Sequence, residues 1–264
     1  VLMGLLVSLY WWRGQEMWTS LTSEWDFDSL GYSATYLFTT FLFWGWSLFY
    51  YVLDCYPEKF NKYRVQSFRE VSKDGYRKAF ATAIVNTILV SAPFGYLLHI
   101  VYKSRTAGMD MRQLPSLRTI LTDHIAYVII LEIAFYYSHR LLHQPYFYRL
   151  IHKKHHEFIA PVGMAAVYAH PIEHIISNLT PIFLGPLLMR SHIVTYWIWA
   201  VLTITGTMIN HSDYCLPGFG SPVNHDFHHY VQEENYGVFG LLDHLHHTDK
   251  EYLEMLLILK AKGK

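Results

Sequence analysis

The sequence is poor in charged residues and in cysteine. Only 16% of its 264 residues are Asp, Glu, Lys or Arg, and 21 basic and 21 acidic residues give a formal net charge of zero. A chain without a basic field does not attract nucleic acid phosphates, so no nucleic acid partner is expected. Two cysteines, Cys55 and Cys215, cannot build a disulfide framework or a CxxC metal site.

Apolar residues dominate instead, at 52% of the chain, with 17% aromatics. Residues 30–53 and 79–102 are each 24 residues without a charge. As helices they reach about 36 Å, more than the roughly 30 Å hydrocarbon core of a bilayer, so both are predicted to cross the membrane. The chain is therefore predicted to be all-α, a polytopic membrane helical bundle.

Three further apolar stretches complete the predicted bundle. Residues 120–138 contain Asp123 and Glu132, which should face a protein interior because ionisable groups are costly in lipid. Residues 175–189 and 193–209 flank a short polar pair, and prolines interrupt the first arm. They predict a shorter helical hairpin that dips into the membrane.

The basic residues predict an orientation. Residues 54–78 contain seven Lys or Arg and residues 103–118 contain four, which favours a cytosolic location for the first loop and for the histidine-rich region. The chain ends in KAKGK, with lysines third and fifth from the end. That pattern resembles a cytosolic signal for retrieval to the endoplasmic reticulum.

The 17 histidines are concentrated in one region, since 15 of them lie between His139 and His247. HRLLH places two of them four residues apart, on one face of a helix. HKKHH and HDFHH each place three at positions i, i+3 and i+4, which again converge on one side. These motifs supply eight imidazoles, and imidazole is the commonest metal-binding side chain: His139, His143, His152, His155, His156, His225, His228 and His229.

Eight imidazoles exceed the needs of one ion. A first-row metal takes four to six ligands, so two ions with three or four protein ligands each and an open position fit the count better. Imidazole suits iron, copper, zinc and nickel alike, so the ligand type does not select the metal. His170 and His211 lie at or near the ends of apolar helices that would point back to the cluster.

A second metal motif competes with this interpretation. HPIEH, with His170, Glu173 and His174, matches the HxxEH signature in which Glu is the general base of a zinc peptidase. An intramembrane zinc peptidase is therefore an alternative, although it leaves the eight motif histidines unexplained. A non-catalytic protein that retains the fold for binding is a further alternative.

The three motifs, in this order behind helical spans, resemble the histidine boxes of the membrane fatty acid hydroxylase/sterol desaturase superfamily. The resemblance covers roughly residues 136–252, and YYSHRLLH, YAHPIEH and NYGVFGLLDHLHHTD are most similar to the C-4 methylsterol oxidase branch. It implies two regions, N-terminal transmembrane helices and loops over residues 1–116 and a catalytic region over residues 117–264.

The resemblance also implies a site and an activity. Ten positions match family histidines and are the expected metal ligands: His139, His143, His152, His155, His156, His170, His211, His225, His228 and His229. The implied enzyme is a non-haem di-iron oxidase of the endoplasmic reticulum membrane with its site toward the cytosol, and zinc can replace the iron in purified material. It would use O2 and electrons from NAD(P)H, relayed by an external b-type cytochrome.

The implied reaction is hydroxylation of a lipid C–H bond. The expected substrate is a sterol, oxidised at a C-4 methyl group during sterol biosynthesis. A fatty acyl or other alkyl lipid is the alternative, since substrate choice depends on pocket shape, which the motifs do not determine.

Overall fold

The computed structural model describes residues 2–24, 26, 29–68 and 71–261, without the side chains of residues 2–12, 29 and 30. The last three residues of the KAKGK ending lie outside this part. Within it, no β-strand forms, and the α-helices are α1 (Leu2–Glu24), α2 (Thr35–Asp54), α3 (Pro57–Phe60), α4 (Lys73–Ile84), α5 (Ala92–Arg105), α6 (Leu117–Leu142), α7 (Pro145–Leu150), α8 (Pro171–Glu173), α9 (Thr180–Met189), α10 (Ile193–Asn210), α11 (Val223–Val231), α12 (Leu241–His246) and α13 (Lys250–Ala261). The predicted all-α class is confirmed.

Three π-helical and three 3-10 segments join these helices. The π-helical segments are π1 (Ser29–Ala34), π2 (Val85–Ser91) and π3 (His174–Leu179), and each continues directly into an α-helix. The 3-10 segments are Asn61–Tyr63, His152–Glu157 and Gly163–Val167.

Five continuous helices in the described residues are long and apolar enough to cross a membrane. They are Gly31–Asp54, Lys73–Arg105, Leu117–Leu142, Pro171–Met189 and Ile193–Asn210. The last two have 19 and 18 residues, longer than the shallow hairpin that the prolines suggested. Pro171 and Pro181 lie in the first turns of α8 and α9, where proline is tolerated, and π3 joins these two helices. Pro186 lies inside α9, which ends three residues later at Met189.

The bundle buries the two acidic residues of α6. Asp123 and Glu132 are only 6% and 2% exposed, so they face the protein interior as predicted. Hydrogen bonds also link the N-terminal helices to the later ones, since Trp46 Nε1 donates to Thr205 and Trp197 Nε1 donates to Thr35. The two halves of the chain therefore pack as one bundle.

A buried polar network ties the loop after α2 to the end of α10. Arg64 Nε donates to Asp213 Oδ2 at 2.8 Å, and the Gln66 backbone N–H donates to Asp213 Oδ1 at 2.9 Å. Tyr76 and Tyr214 both donate to the carboxylate of Asp54. The basic loop and the region that follows α10 therefore lie at the same end of the bundle.

Candidate metal centre

The described part of the chain brings nine of the ten predicted histidines into two groups. In each group, one nitrogen of every ring lies within 4.8 Å of the others. Group one contains five histidines and group two contains four, and all nine are buried except for the half-buried His143. Group one is His139, His143, His152, His156 and His228, and group two is His155, His211, His225 and His229.

Helix geometry explains which histidines meet. α6 carries His139 in its last turn, and His143 follows the helix directly as its C-cap, so both rings lie on one face a turn apart. The 3-10 segment His152–Glu157 and α11 each carry three histidines and serve both groups. His211 follows α10 directly and is the one member outside the three motifs.

The two groups are interleaved along the sequence. In the 3-10 segment, His152 and His156 belong to group one whereas His155 between them belongs to group two. In α11 the division is reversed. His228 belongs to group one, whereas His225 and His229 on either side of it belong to group two. Rings of the two groups touch, with 4.8 Å between the ring centroids of His156 and His229.

Backbone carbonyls and one carboxylate lie beside the Nδ1 atoms of five of these rings. His139 Nδ1 is 2.8 Å from Tyr236 O, and His152 Nδ1 is 2.8 Å from Glu173 Oε1. The other three pairs are His155 with Tyr168 O, His211 with Thr207 O and His228 with Glu234 O. These oxygens can only accept, so Nδ1 carries the hydrogen and Nε2 presents a lone pair.

The Nε2 atoms within each group face one another at short range. His152 Nε2 lies 3.2 Å from His139 Nε2, 2.9 Å from His143 Nε2 and 3.0 Å from His156 Nε2. In group two, His211 Nε2 lies 3.0 Å from His225 Nε2 and 3.3 Å from His155 Nε2.

Two lone pairs at this distance repel each other unless a cation lies between them. Nitrogen ligands about 2.0–2.1 Å from a metal are separated by about 2.9–3.4 Å from their neighbours, which agrees with the spacing in both groups. The donor sets therefore fit metal ions.

Burial keeps these imidazoles neutral, which is the form that binds a metal. Burial lowers the pKa of His211 to about 4 and that of His228 to about 3, from the usual 6.5. For His225 and His229, burial and then repulsion from neighbouring histidines hold the pKa well below 6.5. The site is therefore ready to coordinate a cation at neutral pH.

Glu173 is the carboxylate that orients a predicted ligand. The sequence predicted it only as the base of a peptidase, yet it is 2% exposed and accepts from His152 Nδ1. Its position after the proline of α8 aims the side chain at the 3-10 segment. A histidine motif cannot reveal this partner, because the two residues are 21 positions apart.

Two further carboxylates hold the loop over group one. Glu132 accepts hydrogen bonds from the backbone N–H groups of Val238, Phe239 and Leu242. Asp243 accepts from the backbone N–H groups of Tyr236 and Gly237 and from the Thr248 hydroxyl. The loop of residues 234–242 is thus fixed, and it supplies the carbonyls that orient His139 and His228.

The HPIEH segment does not form a metal group in the described part of the chain. His170 lies outside both groups, and its Nδ1 accepts from the Ile172 backbone N–H at the start of α8. His174 pairs with Ser91 and Asn178 instead. Among the described residues, His170 and His174 therefore do not form the shared metal site that a zinc peptidase would need.

A cavity of about 610 Å³ opens onto both groups. His139 and His152 of group one and His155, His211 and His225 of group two lie in its wall. The remaining wall is formed mainly by apolar and aromatic side chains of the transmembrane helices. An apolar molecule in this cavity would reach both groups from within the bundle.

Comparison with known proteins agrees with this architecture. The fatty acid hydroxylase family model matches residues 124–248, which include every histidine of the two groups. Similar proteins include fatty acid hydroxylase domain-containing protein 2 of Macaca fascicularis, 40% identical over 82% of this chain and 68% of that protein. Methylsterol monooxygenase 1-1 of Arabidopsis thaliana is 31% identical over 73% of this chain and 68% of that protein.

A third relative is fatty acid hydroxylase ahd1 of Mycosarcoma maydis, 35% identical over 74% of this chain and 51% of that protein. The chain thus spans about half to two thirds of the length of these relatives. No solved structure matches the chain significantly. The chain belongs to the fatty acid hydroxylase family, whose members are non-haem iron oxygenases.

Proposed function

We propose that the protein hydroxylates a C–H bond of a membrane lipid, with a C-4 methyl group of a sterol as the substrate position. The observation that carries the proposal is the opening of both histidine groups into one apolar cavity inside the bundle. A similar protein is named a methylsterol monooxygenase, which supports the sterol. Another is named a fatty acid hydroxylase, so an acyl or alkyl lipid is the alternative substrate.

The nine grouped histidines would hold two iron ions, and zinc would occupy the same donors in iron-poor preparations. Bound iron supplies the reductive activation of O2 that oxidation of an unactivated C–H bond requires. The reaction RH + O2 + 2e⁻ + 2H⁺ → ROH + H2O balances only with an electron donor. We assign that role to NAD(P)H acting through an external b-type cytochrome.

Residues of the chain itself orient the metal ligands and keep water away from the substrate. Glu173 fixes the ring of His152, and the loop of residues 234–242 fixes the rings of His139 and His228. The apolar wall of the cavity excludes water from the reacting carbon. We propose residues 117–264 as the catalytic region, since all nine histidines follow the start of α6.

We further propose an endoplasmic reticulum location with the metal centre facing the cytosol. Arg64 pairs with Asp213 two residues after His211, so the loop with seven basic residues lies at the same end as the histidines. Short basic loops favour the cytosolic side. Protease protection of tags placed in this loop and in the loop after α5 would test the orientation.

The test of function is oxygen incorporation by purified, iron-loaded protein in lipid nanodiscs. A 4,4-dimethylsterol and a fatty acyl lipid are offered separately under ¹⁸O2, with NADH and a b-type cytochrome with its reductase. We expect one ¹⁸O atom in the sterol product and loss of turnover in His229→Gln. His244→Gln is the matched control, because the His244 side chain is 78% exposed. Reduced protein with two metals that labels neither lipid would overturn the proposal.

A further inference from the structure

Three separate transmembrane helices each contain a π-helical segment, and all three segments line the same cavity. π1 contributes Gly31 and Tyr32, π2 contributes Thr87 and Ser91, and π3 contributes His174, Ser177 and Asn178. π-Helical turns are uncommon and occur frequently at functional sites. Their meeting at one cavity indicates that its wall is shaped for a ligand.

The cavity has the dimensions of a lipid. Both Ile193 and His211, at the two ends of α10, lie in its wall. At 1.5 Å per residue, they are about 27 Å apart along the helix. A volume of about 610 Å³ falls within the range of about 300–1,000 Å³ of pockets that enclose small ligands.

A chain of polar side chains interrupts this apolar wall where π2 and π3 meet. Asn178 Nδ2 donates to His174 Nδ1 at 3.3 Å, which leaves the hydrogen of that ring on Nε2. His174 Nε2 then donates to Ser91 Oγ at 2.9 Å, and Ser91 Oγ donates to Asn86 O at 2.9 Å. His174 is only 3% exposed, so this chain is buried and ordered.

The polar chain has unused hydrogen-bonding capacity at its cavity end. The Asn178 side chain makes no other hydrogen bond within the described residues, so its carbonyl oxygen and second N–H remain available. Glu173, five residues earlier, also lines the cavity, and its Oε2 is buried without a partner among the described residues. An unsatisfied buried polar atom is costly, so this oxygen also favours a ligand that brings a hydrogen-bond donor into the cavity.

We infer that Asn178, oriented by His174 and Ser91, binds the hydroxyl group of a lipid that lies lengthwise in the cavity. The inference rests on the proposed function and specifies its substrate class, an apolar lipid with one hydroxyl group. A hydroxyl both donates and accepts, so it matches the Asn178 amide in either direction. Asn178 is then a specificity-determining residue, and His174 and Ser91 are positioning residues. Glu173 and His152 lie in the wall of the same cavity, so the bound lipid would share that cavity with group one.

The test compares lipids with and without the hydroxyl. Radiolabelled 5α-cholestan-3β-ol and 5α-cholestane form one pair, and hexadecan-1-ol and hexadecane form the other. Equilibrium binding of each to the metal-loaded full chain in nanodiscs requires no turnover. We expect the sterol to bind about 10-fold more tightly than cholestane, the effect of one well-placed hydrogen bond. The same preference in the alcohol pair alone would identify a linear alcohol as the ligand class.

Variants then test whether the preference for the hydroxyl-bearing lipid arises at Asn178. Asn178→Leu keeps the branched shape of the side chain and removes the amide, so the preference should fall to within about twofold. Ser91→Ala keeps Asn178 but releases His174, and it should reduce the preference partly. Asn61→Leu, in the surface turn Asn61–Tyr63 and outside the cavity wall, is the matched control.

The outcomes separate this inference from the proposed function. No hydroxyl preference in either pair, or a preference that survives both Asn178→Leu and Ser91→Ala, would overturn the inference. Where Asn178→Leu has lost its metals and its fold, the Ser91→Ala result decides. Hydroxyl-independent binding together with ¹⁸O incorporation would refute only the inference. Hydroxyl-dependent binding without incorporation would refute only the proposed oxidation.

Discussion

We predict that Glu173 sets the affinity of group one for a metal ion through one hydrogen bond to His152. His152 Nδ1 lies 2.8 Å from Glu173 Oε1, and His152 Nε2 is the atom that faces three other imidazole nitrogens. Replacing the carboxylate lowers the basicity of Nε2 and loosens the ring. Changes of this kind typically cost 10- to 100-fold in metal affinity.

Two substitutions of Glu173 weaken this hydrogen bond to different degrees. Glu173→Gln keeps an oxygen acceptor but loses its charge, and hydrogen bonds with charged partners contribute about 1.5–3 kcal/mol against about 0.5–1.5 kcal/mol for neutral ones. The loss of about 1 kcal/mol predicts metal binding about 5- to 10-fold weaker. Glu173→Leu removes the acceptor and should weaken binding about 100-fold. Group two should be unaffected, because its rings are oriented by Tyr168 O and Thr207 O.

Metal competition measures the effect directly. Purified protein is titrated with a chelator, and bound metal is counted by elemental analysis. We expect loss of one metal of two at lower chelator concentration in Glu173→Gln, and at still lower concentration in Glu173→Leu. Glu157→Gln is the control, because Glu157 accepts from the Tyr168 hydroxyl and not from a grouped imidazole. Equal chelator curves for the wild type and both variants would refute this role for Glu173.

Three other predictions concern the scaffold. Gly237→Ala places a Cβ 2.7 Å from Asp243 Oδ2, so the loop over group one must shift and bound metal should fall toward one per chain, measured by elemental analysis. Metal-free protein should lose thermal stability as the pH falls below about 6.5. In this range histidines of the unfolded chain bind protons, whereas the buried His211 and His228 of the folded protein, with lowered pKa values, do not. Equal melting temperatures at pH 7.5 and 5.5 would contradict this. Arg64→Met leaves the buried Asp213 carboxylate without its 2.8 Å ion-pair partner, which should lower the free energy of unfolding by about 3–5 kcal/mol. Denaturant unfolding should show a larger loss than in the control Arg77→Met, whose ion pair is exposed.

Periodicity and motif spacing predicted the parts of the molecule that local geometry determines. The uncharged stretches became transmembrane-length helices because apolar length alone sets that outcome. The four-residue spacing brings together His139 and His143 at the end of α6, and His225 and His229 on α11. Burial of Asp123 and Glu132 followed from the cost of charge in lipid.

Contacts between distant residues were not predictable in this way. The division of adjacent histidines between two groups depends on how α6, α10 and α11 pack, which spacing along one helix does not determine. Glu132 reaches backbone amides 106 to 110 positions away, so no local pattern reveals its partners. His170 sits at a family position, yet the proline after it starts a helix that uses the ring as a cap.

The interleaving of the two groups sets the order in which a growing chain completes them. Group one has four of its five nitrogen donors by residue 156, before the last two transmembrane-length helices are made. Group two has only His155 at that point and receives its other three histidines at residues 211, 225 and 229. If each group holds one ion as proposed, most donors for the first ion would therefore exist before the last two transmembrane-length helices are made, whereas the second ion would require α10 and α11 to have folded against each other.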